Sequence, residues 1–232
     1  MERGMNERIR KLRKQSLETE PHIYMERAKL ETEAYMMYEG SVSVPELRAL
    51  AFKHFMEHKA LCINDGELIV GEKGDGPQAA PSFPELCCHT VEDMKVMDAR
   101  DLIYFRVSEE DLKVQEETII PFWEKRSIRH KILENMSEEW KDAYAAGIFT
   151  EFMEQRGPGH TVGSEKIYKK GFQDYKNDII EARNRLDFLN DKEAFDKKAQ
   201  LNAMEICCDA IMILGERSVS YTHLTLPTKL EV

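Results

Sequence analysis

With 232 residues and 42% hydrophobic content, the chain can bury a core in one or two domains. A net charge of −10 argues against nucleic acid as a default partner and suits a soluble cytoplasmic protein. The sequence opens without a signal-peptide pattern, and no apolar run approaches the length of a membrane span, so no membrane partner is expected.

The first segment, Met1–Gln15, sets six Lys/Arg against Glu2 and Glu7. Its apolar positions, Ile9 and Leu12, are too few for a membrane-seeking face, and a solvated or docking helix fits better. Ser43-Val44-Pro45-Glu46 then reads as a capping box, with serine at the cap and glutamate three residues on. Leu47, Leu50, Ala51, His54 and Phe55 follow at helical spacing. Asp65-Gly66 is a turn signal leading into Glu67-Leu68-Ile69-Val70, the one convincing strand. From Gly71 to Pro84 glycines and prolines interrupt every pattern, which predicts loop. No GK[ST] follows and no helix starts there, so a phosphate cradle is not expected.

Cys62, Cys87, Cys88, Cys207 and Cys208 are an odd number with two adjacent pairs. Neighbouring cysteines rarely bridge one another, and reduced thiols in a cytoplasm fit best. Cys87, Cys88 and His89 invite a metal reading, yet zinc ligands are usually spaced C-x₂₋₄-C so that two thiolates converge on one ion. No metal is expected, and the cysteines read as small buried residues. Ser108 and Ser137 read as helix caps, and Pro121 should kink or divide the helical run between them.

The stretch Thr150–Val162, TEFMEQRGPGHTV, is the most informative in the chain. Two glycines around a proline permit unusual backbone angles and then stiffen them, ending on His160 and Thr161. Such a loop can hold an imidazole and a hydroxyl beside a cavity, with Phe149 and Phe152 as aromatic walls. On spacing alone, an ordinary interhelix loop whose histidine caps a neighbour is the favoured reading.

Beyond the loop, Tyr168, Phe172, Tyr175, Ile179, Ala182 and Leu186 step by three and four residues. That pattern predicts a one-faced helix with a buried aromatic stripe. The last helix pattern, roughly 191–216, turns apolar on nearly every side at Ala203–Leu214 and must be surrounded by protein. Glu205 and Asp209 share one face. They could serve as acid and base, but such a pair far more often meets solvent or cations elsewhere. After Arg217 the string SVSYTHLTLPTKLEV is rich in threonine and carries no helical period. A non-native or disordered tail over 218–232 is expected, with 1–217 as the ordered part.

Several blocks in register resemble the glycyl radical enzymes, the family of pyruvate formate-lyase and its dehydratase relatives. FMEQRGPGHTV is similar to that family's pocket loop, and ERAKLETEAYMMYEG (Glu26–Gly40) to its first helices. INDGELIVGEKGDGPQAAPSFPE (Ile63–Glu85) is similar to its D-x-ELIVG strand and the loop that runs to a Pro-Glu. CCHTVEDMKVMDARD (Cys87–Asp101) and EETIIPFWEKRS (Glu116–Ser127) resemble most closely one branch, the trans-4-hydroxy-L-proline dehydratases. The resemblance implies a mainly α-helical chain with one or two short strands, forming outer helices and the first part of an α/β barrel. It implies that 1–217 is the N-terminal, incomplete part of a pyruvate formate-lyase-like domain.

In that family a radical made on a backbone glycine by a radical S-adenosylmethionine activating enzyme passes to a cysteine, which attacks the substrate. The dehydratases add a glutamate beside that cysteine. No Cys-x-Glu loop and no RV-x-GY motif occurs here. Arg106-Val107-Ser108 lacks the glycine, so no catalytic residue is expected in this chain, which alone would be inactive. The resemblance assigns substrate contacts to Phe152 and His160. Its implied partners are a small-molecule substrate, the activating enzyme and the rest of the barrel, and a homodimer is among the assemblies it allows. Alternatives are another branch, such as a glycerol or diol dehydratase or a formate-lyase, and a non-catalytic helical interaction module. The module would need a polar outer surface on Ala203–Leu214, where the sequence is apolar.

Overall fold

The structure, a computed structural model, describes residues 6–67, 71–149 and 164–225. The chain divides into two compact units, the first built from 1–29, 64–68 and 72–161, the second from 30–63, 69–71 and 162–232.

The first unit opens with α1 (Glu7–Glu18), capped by the Asn6 side chain, which accepts from the Ile9 amide. None of its residues is buried. It docks through polar groups instead: the Arg8 guanidinium donates to the Gly66 carbonyl at 3.2 Å, Gln15 meets Asn64 at 2.7 Å, and Lys11 pairs with Asp65. The expected Asp65-Gly66 turn is therefore the surface on which the basic helix lies, with Gly66 at φ +88°.

Next come β1 (His22–Tyr24) and, after the shared helix α2 (Glu26–Tyr38), β2 (Ala79–Pro81). The two strands pair in parallel, His22 against Ala79 and Tyr24 against Pro81. Arg106 bridges to the same strand, accepting from the Ile23 amide at 2.9 Å and donating to the Pro21 carbonyl at 2.8 Å. The region 71–84 is thus mostly loop but contributes a strand that its glycines and prolines concealed. Of the strand expected at 67–70, positions 68–70 lie outside the described residues.

Helix α4 (Val91–Ala99) has a Thr90–Asp93 capping box, and α5 (Glu109–Val114) a Ser108–Asp111 one. The run beyond α5 does not break at Pro121. It widens into a π turn over Gln115–Ile119 and resumes as α6 (Ile120–Trp123), with Pro121 in its first turn. Proline there needs no amide hydrogen, and the π turn takes up the mismatch. α7 (Ile128–Asn135) and α8 (Glu138–Ala145) follow, capped by Ser127 and Ser137. The first unit's core holds Met25, Ala28, Met94, Ile119 and Trp123.

The second unit is helical: α3 (Val44–His58), a 3₁₀ turn (Ser164–Tyr168), α9 (Phe172–Asn184) and α10 (Ala194–Thr225), with α10 packed on both α3 and α9. The Ser43–Glu46 capping box forms as the sequence indicates. Small buried residues, Ala49 and Ala51 on α3 and Ala203 and Ala210 on α10, are set in the packed faces of those helices. Arg217 donates to the carbonyls of Met56 (2.6 Å) and Lys59 (2.8 Å), satisfying acceptors where α3 ends.

Two expectations change here. The aromatic stripe is not buried along its length, because α9 begins only at Phe172, after the Gly171 cap. Tyr168 sits in the separate 3₁₀ turn, 88% exposed, and Phe172 is 42% exposed. The helical period also continues past Arg217 to Thr225. Ser218 donates to the Leu214 carbonyl and Thr222 to that of Ser218, so these hydroxyls are satisfied within the helix. Residues 226–232 lie outside the described ones.

Candidate functional site

Both residues assigned to substrate, Phe152 and His160, and the Gly157-Pro158-Gly159 turn between them lie outside the described residues. What the structure does give is the way the chain enters their loop. α7 and α8 are each started by a serine hydroxyl, Ser127 accepting from the His130 amide at 3.2 Å and Ser137 from that of Trp140 at 3.4 Å. α8 then ends in a full Schellman motif. The Gly147 amide donates to Tyr144, and the Ile148 amide to Ala143, both at 3.0 Å. Gly147 has φ +70°, a conformation that glycine adopts without cost to a Cβ.

Phe149 turns back onto α8. Its ring centroid lies 5.2 Å from that of Trp140 at 66°, and 5.7 Å from that of Tyr144 at 50°. Both are edge-on or tilted arrangements that aromatic quadrupoles favour. The Tyr144 hydroxyl accepts from Arg129 on α7 at 3.1 Å. The sequence reading missed Arg129, Trp140 and Tyr144. A helix-stop glycine after Ala145-Ala146 was the one local signal that marked this corner.

Other candidate groups resolve into structural roles. Cys87 is buried and its Sγ lies 4.0 Å from His89 Nδ1. Gln115, at the start of the π turn, donates to the His89 carbonyl at 2.6 Å and faces the Cys88 sulfur at 3.9 Å. Burial, and then the charge of Glu124, push the Cys88 thiol up to about 11. A thiol so placed is a poor nucleophile or metal ligand at neutral pH. Only Cys87 and Cys208 are buried; Cys62, Cys88 and Cys207 are half-buried. Among the described residues no three His, Cys, Asp or Glu side chains converge as a metal cage would.

Glu205 and Asp209 meet cations from α9. Lys176 pairs with Asp209 at 2.7 Å and with Glu205 at 3.7 Å, and Arg183 binds Glu205 and, at 3.0 Å, the Asn202 side chain. The hydrogen bond to Asp209 raises the Lys176 ammonium above its ordinary value. The two carboxylates thus form a helix–helix ladder with the cations of α9. In the second unit an apolar groove of about 770 Å³ lies along α3, α9 and α10, with Val44, Tyr175, Ile179, Met204 and Cys207 in its lining. Arg48, Asp178 and Gln200 also line it.

In the first unit, Arg27 on α2 grips Glu85 with both nitrogens, at 2.6 and 3.1 Å, and also donates to the Ser82 carbonyl. Its guanidinium lies 4.0 Å from the centroid of the Phe83 ring. This fixes the loop that runs to Pro84-Glu85 against the first helices, two of the segments that carried the family resemblance.

Comparison with known proteins bears on what this scaffold belongs to. The profile of the pyruvate formate lyase-like family matches residues 5–224. The chain is 61% identical over 217 residues to trans-4-hydroxy-L-proline dehydratase of Clostridioides difficile, covering 94% of this chain and 28% of that protein's length. The crystal structure of the Clostridioides difficile hydroxyproline dehydratase with trans-4-hydroxy-L-proline bound superposes with a TM-score of 0.90 at 59% identity, over 97% of this chain and 28% of that one. The glycerol-bound B12-independent glycerol dehydratase of Clostridium butyricum gives 0.85 at 27% identity, over 99% of this chain and 30% of that one. The mainly helical chain with two short strands is therefore the counterpart of just over a quarter of these enzymes.

Proposed function

Because the chain belongs to the pyruvate formate lyase-like family, we propose that the protein carrying it is a glycyl radical dehydratase that removes water from trans-4-hydroxy-L-proline. The observation that carries this reading is the 61% identity to hydroxyproline dehydratase across nearly the whole chain, against 27% to the glycerol dehydratase. That contrast favours the hydroxyproline branch over the glycerol dehydratase alternative. It also displaces the interaction module, whose polar outer surface Ala203–Leu214 does not supply.

The family's glycyl radical, delivered through a cysteine thiyl, supplies hydrogen-atom abstraction from the substrate, and both of those positions belong to sequence outside this chain. This chain's own share of the site is binding and charge stabilisation. Phe152 packs on the pyrrolidine ring. His160 hydrogen-bonds the departing hydroxyl, and its imidazolium gives up a proton as the C–O bond breaks, so that the oxygen leaves as water. A radical S-adenosylmethionine activating enzyme, the remaining barrel and a homodimeric assembly belong to the same reading. So does a cytoplasmic location, which suits five free cysteines and the absence, among the described residues, of any helix long and apolar enough to cross a membrane.

The test is turnover by variants of the complete reading frame. His160→Ala should lower kcat by roughly 10²–10³-fold, the usual cost of losing one oxyanion donor, with the radical still installed. His160→Gln, a donor without charge, should fall between. Phe152→Ala should act mainly on KM. Normal hydroxyproline turnover by His160→Ala would reduce His160 to a loop residue.

A further inference from the structure

We infer that the knuckle Arg100–Ile103, between α4 and α5 of the first unit, is a contact surface for the same knuckle of a second copy of this chain. The homodimer proposed with the hydroxyproline reading is the assembly it builds, whichever substrate the enzyme takes. Leu102 is 81% exposed and Ile103 82%. In extended chain consecutive side chains alternate between faces, so one of two neighbours normally turns inward. Here Ile103 takes φ +55°, in the left-handed region that a β-branched residue adopts only under strain. Both neighbours stand in solvent as a result. Strain that turns two aliphatic side chains outward adds nothing to the core of the first unit, and it points to a contact outside it.

The knuckle is held stiff at its base. The Phe105 amide donates to the Met97 carbonyl and the Val107 amide to the Asp98 carboxylate, both at 3.2 Å. The Arg106 guanidinium donates to the Asp98 carbonyl at 3.3 Å and to Glu20 at 3.2 Å, and it lies 4.3 Å from the centroid of the Tyr104 ring. A surface ordered in advance loses little freedom on docking. What docks on it follows from charge. Arg100 and Asp101 are both exposed, and among the described residues neither has a charged partner. A partner of a single sign would leave one of them facing like charge. A second copy turned about a two-fold axis matches both, Arg100 of each copy meeting Asp101 of the other, with the Leu102–Ile103 tips between them. Copies that each carry −10 repel at long range, but at physiological ionic strength charges separated by more than about 8 Å are largely screened and contact pairs are not. Two such tips offer roughly 600 Å² of apolar surface, about half the lower limit of a standard interface, so they form its apolar centre with the charge pairs at the rim.

The experiment is sedimentation velocity on the complete protein over a concentration series. Wild type should associate to a dimer. Arg100→Asp leaves only anions beside the tip, and Asp101→Arg leaves only cations. Each sets like charges across the axis and should weaken the dimer roughly ten-fold or more. An equimolar mixture of the two variants should dimerise again, because each then meets its opposite. Ile103→Gly removes the side chain and the strain together. It should weaken the dimer at least as much, while its urea midpoint, taken at a dilution where wild type is monomeric, stays at or above that of wild type. Single variants that dimerise like wild type overturn this surface and leave the homodimer to another face. A wild type that is monomeric throughout overturns the surface and the homodimer together. Single variants that dissociate and stay monomeric when mixed overturn the second knuckle as the occupant. A lowered midpoint in Ile103→Gly overturns the outward role of that residue.

Discussion

At the level of single residues, three positions carry consequences that can be measured on the chain itself. With its thiol at about 11, Cys88 presents only about a thousandth as thiolate at pH 8. Its alkylation by iodoacetamide should therefore run roughly a hundred-fold slower in the folded chain than in urea, and equal rates would contradict its burial. His22 offers a pH signature. Burial pulls its imidazole down, but the hydrogen bonds to Asp75 at 2.8 Å and to the Glu20 carbonyl outweigh this and leave it raised. A raised histidine contributes stability that is complete below its unfolded value near 6.5 and is lost as pH climbs through the folded value. Wild type should therefore lose a small increment of stability between about pH 6 and 8 that His22→Gln does not lose. Gly74 is a third case. A Cβ there would sit 2.6 Å from that of Ala79 and 2.8 Å from the Tyr24 ring, so Gly74→Ala should cost about 1–3 kcal/mol in urea denaturation. Capping serines at 43, 108 and 137 could be read from sequence because a cap bonds only three residues ahead. Gly74 could not, since Ala79 and Tyr24, which crowd it, come together only in the β1–β2 pairing.

Among the elements, legibility again follows distance along the chain. The helices showed in their caps and periods. The strands did not, because β1 and β2 are three-residue pieces whose partner lies far off in sequence, and β2 is hidden in a proline-rich loop. The start of α9 was misplaced for a local reason: Gly171 interrupts a stripe whose spacing otherwise continues back to Tyr168. The Arg27–Glu85 pair spans 58 residues and left no local trace. It offers the sharpest test at this scale. Both side chains are mostly buried, at 15% and 17% exposure. Arg27→Met alone should lower stability by about 3 kcal/mol, because Glu85 is then buried without its partner. Arg27→Met with Glu85→Leu should regain much of that loss. A double variant as weak as the single one would show that packing on Phe83, and not the charge pair, holds the loop.

For the molecule as a whole, the sequence carried the family because several separated blocks kept their order, which no single motif could have done. The proposed substrate loop was less legible. It stood out by composition, but Phe152 and His160 gain their proposed roles only from resemblance, while the corner that precedes it, Gly147 to Phe149 against Trp140, emerged from three-dimensional contacts. Substrate choice can be measured directly. The complete reading frame, activated with its radical enzyme and S-adenosylmethionine, should be assayed for kcat/KM on trans-4-hydroxy-L-proline beside glycerol and 1,2-propanediol. Hydroxyproline should be dehydrated with at least a roughly hundred-fold preference, since a site built to hydrogen-bond one substrate rejects those that leave its polar groups unpaired. Efficient turnover of glycerol or 1,2-propanediol, with hydroxyproline left intact by an enzyme that carries its radical, would contradict that preference.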